Sequence, residues 1–287
     1  EFYGNTFEGN GLVIVQESQK DIVVASDNIF VGSDPKVWQD VEVPAGEVIF
    51  DATQDFDTDL IIVDQSLAGT SEGRWIHYDT DGNDTPDTWF LFGRNAFVTL
   101  TEGVAAMDAG GTVLVGAGTY NENLNLEKSI TLLSIYGAEE TIIQGSEAQS
   151  ASVLKNTGTL YIASPGVTIG HESGTQGFTI IGYDVANPAI EHSAVYLHKS
   201  AGTAGTQGFA VYGSTITAMG ESAITAEYGS TKNGVEIAYN TINGKTYVGD
   251  TVGGTSSVQF TVHNVPRSLV YFGGSSVGLK FHHNTVE

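Results

Sequence analysis

The densest chemistry in this 287-residue chain is Asp79-Thr80-Asp81-Gly82-Asn83-Asp84-Thr85-Pro86-Asp87, which packs four carboxylates and an amide into nine residues with glycine at the bend. Hard oxygen donors at alternating positions suit Ca²⁺. Asp79, Asp81, Asn83, Asp84 and Asp87 are therefore the expected ligands of a structural calcium ion. The loop departs from the EF-hand, because Phe90 stands at position 12 when Asp79 is position 1, where a bidentate Glu belongs. The competing reading is a solvated acidic turn.

A second group is Lys155, Glu191, His192, Tyr196, His198 and Lys199. Removing the proton beside a uronate carboxylate takes a base, a neutralising cation and a proton donor, and these residue types supply all three. Their bland reading is a polar strand and turn. His282 and His283 form a weaker pair, expected to point one inward and one outward by strand alternation. Trp75, Tyr78, Trp89 and Phe90 have rings that stack on sugars, although burial at a junction is the favoured expectation. A further acidic stretch, Asp51, Asp55, Asp57, Asp59 and Asp64, flanks the strand-like Leu60-Ile61-Ile62-Val63 and reads as a charged, solvated edge.

These groups sit in an acidic background. Lys and Arg total 11 against 34 Asp and Glu, a formal net charge of −23, which repels phosphate backbones and anionic lipid. Nucleic acid is excluded as a partner, and divalent cations are the natural complement. There is no Cys, so neither disulfides nor thiolate metal sites contribute. No apolar run is long enough for membrane insertion, and Glu1-Phe2-Tyr3-Gly4-Asn5 lacks the pattern of a signal peptide, so a mature or excised segment is expected.

The elements that must position these residues are short and repeated. Gly numbers 36 and Pro only 6, which suits frequent glycine-built turns between strands. Gly174-Thr175-Gln176-Gly177-Phe178-Thr179-Ile180 is echoed 31 residues later by Gly205-Thr206-Gln207-Gly208-Phe209-Ala210-Val211. A looser template runs through Phe209, Val211, Ser214 and Ile216, then Val235, Ile237, Asn240 and Ile242, then Val258, Phe260, His263 and Val265, then Leu279, Phe281, Asn284 and Val286, with starts 26, 23 and 21 residues apart. Period-2 alternation returning every ~20 to 30 residues is the spacing of a solenoid turn carrying about three strands. Asn240 and Asn284 share one template position and are expected to turn the backbone and stack as an amide ladder.

Residues 110–124, with Gly110-Gly111-Thr112-Val113-Leu114-Val115 and Gly118-Thr119-Tyr120-Asn121-Glu122, resemble the opening of pectin-lyase-like right-handed parallel β-helices. The resemblance implies an all-β solenoid capped by an amphipathic helix near 97–109, where Phe97, Leu100, Val104 and Met107 recur at helical spacing. That superfamily includes polysaccharide lyases, uronate epimerases, esterases, tailspikes and repeat modules of bacterial surface proteins, so fold alone selects no chemistry. The chain shows no Asp-Pro-His-acid cluster of the mannuronan epimerases, no Asp-Phe-Ile-Phe-Gly of the pectin methylesterases and no Arg signature of the pectate lyases.

Phe2, Asn5 and Phe7, then Ile22, Val24, Asp27 and Ile29, fit the template again. The expected order is closing solenoid turns over 1–50, an acidic linker with the calcium loop over 51–96, and a capped solenoid over 97–287. The leading expectation is a non-enzymatic structural or adhesive module at the cell surface or outside the cell, stacking head-to-tail with copies of itself. The alternative is a lyase or epimerase acting on an acidic polysaccharide.

Overall fold

The computed structural model describes residues 6–8, 22–24, 29–31, 48–50, 59–146, 157–183, 192–201, 208–219, 222–226, 232–244, 270–272 and 276–287. Short stretches rich in Thr, Val and Ile favour pleated, half-buried strands. From Thr112 onward they recur in cycles of three. The first cycle is Thr112–Val115, Gly118–Tyr120 and Leu124–Leu126, and the second is Thr131–Ser134, Thr141–Gln144 and Thr157–Ile162. Equivalent strands of successive cycles pair in parallel. The chain is therefore a parallel β-solenoid, whose three main sheets hold eight, six and five strands among the described residues. Each strand inside a stack finds its backbone partners in the strands on either side, so long-range stacking satisfies its N–H and C=O groups.

The interior is a continuous apolar column. Val113, Leu132, Ile169, Val211, Ile237 and Phe281 stack in register along the first sheet. Tyr120, Ile143, Ile180, Ile216, Ile242 and Val286 do so along the second. Leu124, Leu160, Val195, Ile224 and Val270 line the third. All but Phe281 and Val286 are buried.

The expected cap is present as a helix over Leu100–Ala106, shorter than 97–109. Thr99 is its N-cap, with Oγ1 accepting from Glu102 N at 3.3 Å, while Phe97 belongs instead to the short strand Ala96–Phe97 beside Val63. Leu100 and Met107 are fully buried against the column. Glycine at 103 costs helix propensity, but a Cβ there would collide with Val63 Cγ2, so the close approach of helix to sheet requires it.

Leu60–Val63, within the expected acidic linker, is a strand of the first sheet between Thr112–Val115 and Ala96–Phe97. Between residues 1 and 50, Thr6–Glu8 pairs in parallel with Ile29–Val31, and Ile22–Val24 with Val48–Phe50. Thr6 rather than Phe7 faces Ile29, one residue away from the alignment that the repeat template predicts.

One further expectation is corrected. The echoed heptapeptides do not occupy equivalent places: Phe178 precedes a second-sheet strand, Thr179–Ile181, and Phe209 precedes a first-sheet strand, Ala210–Tyr212. With three strands per turn, one strand signature serves any sheet. The segment Val258, Phe260, His263 and Val265 lies outside the described residues. Glu236 faces Lys280 directly, 44 residues on, and Thr241 faces Thr285.

The corner between the first and second sheets carries the expected polar ladder. Asn240 Oδ1 accepts from Ser214 N at 2.9 Å, and its amide donates to Val211 O and Ala238 O at 3.0 and 2.9 Å. Asn284 Oδ1 accepts from Asn240 N and Nδ2 at 3.0 and 3.1 Å. The left-handed residues, however, are those just before the ladder, Gly213, Tyr239 and His283, with φ of 57°, 61° and 54°. The asparagines bridge turns with their side chains, and the residue ahead of each makes the bend.

Candidate functional site

The acidic loop is the tip of an antiparallel hairpin, Trp75–Tyr78 with Thr88–Leu91. Alternation gives the hairpin two faces. Ile76, Tyr78 and Phe90 pack with Ile62, Leu114, Leu133 and Ile135 in a second apolar cluster, so the hairpin lies on the outer face of the first sheet. His77 and Trp89 stack on its other side, with centroids 4.4 Å apart and planes 6° from parallel. Tyr78 and Phe90 thus serve burial, as the favoured expectation holds.

Asp64 pins the hairpin. Far from a solvated edge, it is 8 % exposed. Its Oδ1 accepts from Ser66 N at 2.7 Å, capping the 3₁₀ turn Gln65–Leu67, and its Oδ2 accepts from Tyr78 OH. Burial first, then this bond and the Asp64 charge, push the Tyr78 phenol far above its ordinary value. A side chain at position 116 would collide with both partners, which makes Gly116 part of the arrangement.

Within the loop, Asp79 is half-buried and Asp81, Asn83, Asp84 and Asp87 are exposed. Asp79 Oδ1 accepts from Gly82 N at 2.8 Å, and Asp79 Oδ2 from Asp84 N at 2.6 Å. Asp87 Oδ1 accepts from Thr80 Oγ1 at 2.8 Å. Carboxylate oxygens of Asp79, Asp81 and Asp87 lie within 4.8 Å of one another. Desolvation works to raise the Asp79 carboxyl, but the amides of Gly82, Asp84 and Asn83 outweigh it and hold the group below its ordinary range. The loop abuts the solenoid wall at Ile135 and Tyr136, both within contact distance of a Cβ built at Gly82. Tyr136 is 41 % exposed, and its phenol is raised by desolvation and then by the Asp79 and Asp84 charges. Three of the five expected ligands thus converge. Asn83 Oδ1 is occupied by Thr85 N at 2.8 Å, and the Asp84 backbone, with φ 65°, completes the bend.

Of the residues considered for proton abstraction, His192, Tyr196, His198 and Lys199 follow one another along one strand and its turn. Lys155 and Glu191 lie outside the described residues. His192 begins the third-sheet strand His192–Leu197, and Lys199 lies in the 3₁₀ turn Lys199–Ala201. Tyr196, 5 % exposed, stacks on Tyr161 with centroids 5.7 Å apart, and His198 lies 5.5 Å from the same ring. His198 Nδ1 is 2.7 Å from Ser200 Oγ.

Several polar residues outside these groups are tied into the coil. Glu122, of the Gly-Thr-Tyr-x-Glu segment, accepts from Leu100 N at 2.9 Å and Thr101 N at 2.8 Å, capping the helix start. Lys128 closes the other end, donating to Ala105 O and Met107 O at 2.9 and 2.7 Å. Tyr120 OH donates to Gly116 O at 3.1 Å inside the column. Sequence spacing carries no signal for the Glu122 and Lys128 pairs, because partners 21 to 23 residues apart meet only through the coil.

At the far end of the first sheet, the outer face holds Glu236, Lys280, His282 and His283. Strand alternation predicts that the two histidines point apart. They lie side by side instead, because the left-handed His283 turns its ring back onto the outer face. No protein-family model, curated protein or solved structure matches the chain.

Proposed function

We propose that this chain is a non-enzymatic, calcium-stabilised structural module of an extracellular or cell-surface assembly, built on a β-helix of the pectin-lyase-like kind. The observation that carries the reading is where the polar side chains go. Asn240, Asn284, Glu122, Lys128 and Asp64 hold turns, cap ends and pin a hairpin. Their chemistry maintains a stiff rod with an acidic surface, which suits a spacer or adhesive stalk. The hairpin loop is the calcium site of this reading, with Asp79, Asp81 and Asp87 as the converging carboxylates. In this reading copies associate head-to-tail, sheet edge against sheet edge. Sedimentation at high concentration tests this association, and a strictly monomeric particle opposes it.

The alternative, a lyase or epimerase, draws on the Tyr161, Tyr196 and His198 cluster along the third sheet. An ultraviolet assay for unsaturated uronate products on alginate and pectin separates the two. The structural reading expects no turnover. Turnover abolished by Lys199→Ala overturns it.

A further inference from the structure

The outer face of the first sheet ends in an arrangement that the structural role does not use. His282 Nδ1 and His283 Nδ1 lie 2.8 Å apart, and Glu236 Oε1 lies 3.0 Å from His282 Nε2. A carboxylate only accepts hydrogen bonds, so His282 carries its proton on Nε2 and, when neutral, has a lone pair on Nδ1. That lone pair faces the His283 ring. Tyr239 stacks on His283 with centroids 4.8 Å apart and planes 15° from parallel, and meets His282 edge-on at 5.9 Å, which fixes both rings. His283 holds this position through a φ of 54°, a backbone state uncommon outside glycine, and the Asn284 bridge that follows locks it. Glu236 Oε2 is occupied by Lys280 Nζ at 3.0 Å, so the carboxylate is anchored from the other side.

A carboxylate behind an imidazole whose other nitrogen points at a second imidazole is the outer-shell pattern of metal-binding histidines. We propose that His282 and His283 bind a divalent transition ion of the imidazole-preferring kind, such as Cu²⁺ or Zn²⁺, through their two Nδ1 atoms, with Glu236 as the positioning residue behind His282. In the metal-free state the His283 Nδ1 proton bridges the two nitrogens. On binding it passes through solvent to His283 Nε2, so both lone pairs converge on the ion and no proton is lost. His283 is exposed and His282 half-buried, which leaves the remaining coordination positions to water. Nitrogen donors separate this site from the oxygen-lined hairpin loop, which favours hard cations.

The test is electron paramagnetic resonance of the full chain with one equivalent of Cu²⁺ at neutral pH. The expected spectrum shows two imidazole nitrogens, persists in Asp79→Asn, and loses this signature in His282→Gln and in His283→Asn, a substitution that tolerates the left-handed backbone. Chelator competition is expected to show Glu236→Gln weakening Cu²⁺ by roughly 10- to 100-fold while thermal unfolding stays cooperative. An unchanged spectrum in the double histidine variant, which would assign the copper to other residues, overturns the proposal. So does the absence of specific binding.

Discussion

One sheet runs the length of the solenoid, and its two ends carry opposite outer faces. At the covered end, Ile62, Leu114 and Leu133 form an outward row in register beneath the hairpin. At the bare end, Glu236 and Lys280 face each other in the open, with His282 alongside. The inner row is apolar at both ends, from Ile61 and Val113 to Val211 and Ile237. The fold is thus specified by the inward residues, and the outward ones decide what the wall does. Apolar outward residues lie under the hairpin, and the charged ones stay partly exposed.

The largest expected effect sharpens this contrast. Ile62→Ala empties the seam between sheet and hairpin and should cost about 2–5 kcal/mol in denaturant unfolding, the range for buried Ile truncations. Glu236→Ala on the bare wall should cost less than about 1 kcal/mol, as surface ion pairs do. Equal losses would erase the distinction. Next, Asn240→Ala strands Ser214 N, Val211 O and Ala238 O at a buried corner. It should cost about 2–3 kcal/mol, against about 1 kcal/mol or less for the more accessible Asn284→Ala. Tyr78→Phe follows, at about 1–2 kcal/mol, because Asp64 loses a donor while buried. Chelation with EGTA should lower the melting temperature of the wild type and leave Asp79→Asn unmoved, and a shift retained in the variant would place calcium elsewhere.

The smallest effect is a pH dependence at the bare end. Hydrogen bonds from Lys280 and then His282, opposed by slight desolvation, hold the Glu236 carboxyl below its ordinary value of 4.5. A carboxyl lowered in the folded state contributes stability that is present above the unfolded value and lost as pH falls through the folded one. Comparing wild type with Glu236→Gln below pH 4.5 should show the difference vanish as acid is added, and earlier in high salt.

How much of this was legible varied with the range of the interaction. Val211 with Ile216, and Ile237 with Ile242, announced themselves by period 2 and a fixed offset, and they are stacked rungs. Asn240 and Asn284 shared a template position and are bonded. The same pattern at Val258 to Val265 falls outside the described residues. The Asp79 to Asp87 loop was visible from local composition, but its seat against Ile135 and Tyr136 was not. Neither was the Asp64 and Tyr78 pair, which depends on a hairpin folding back over a sheet assembled from residues 60 to 134. Alternation separated His282 from His283, and a single left-handed residue brought them together.

The coil pairs Thr241 directly with Thr285, 44 residues on. The chain has no Cys, so any disulfide in a Thr241→Cys/Thr285→Cys variant is the designed one. Adjacent parallel strands lie ~4.8 Å apart, within disulfide reach, whereas an intervening rung doubles the gap to about 9.6 Å and puts it out of reach. Mild oxidation followed by peptide mass spectrometry should find the 241–285 crosslink in folded protein, with unfolding still cooperative. Failure to form it in the folded chain, alongside ready crosslinking of Thr241→Cys to a cysteine placed at Val265, would contradict the account.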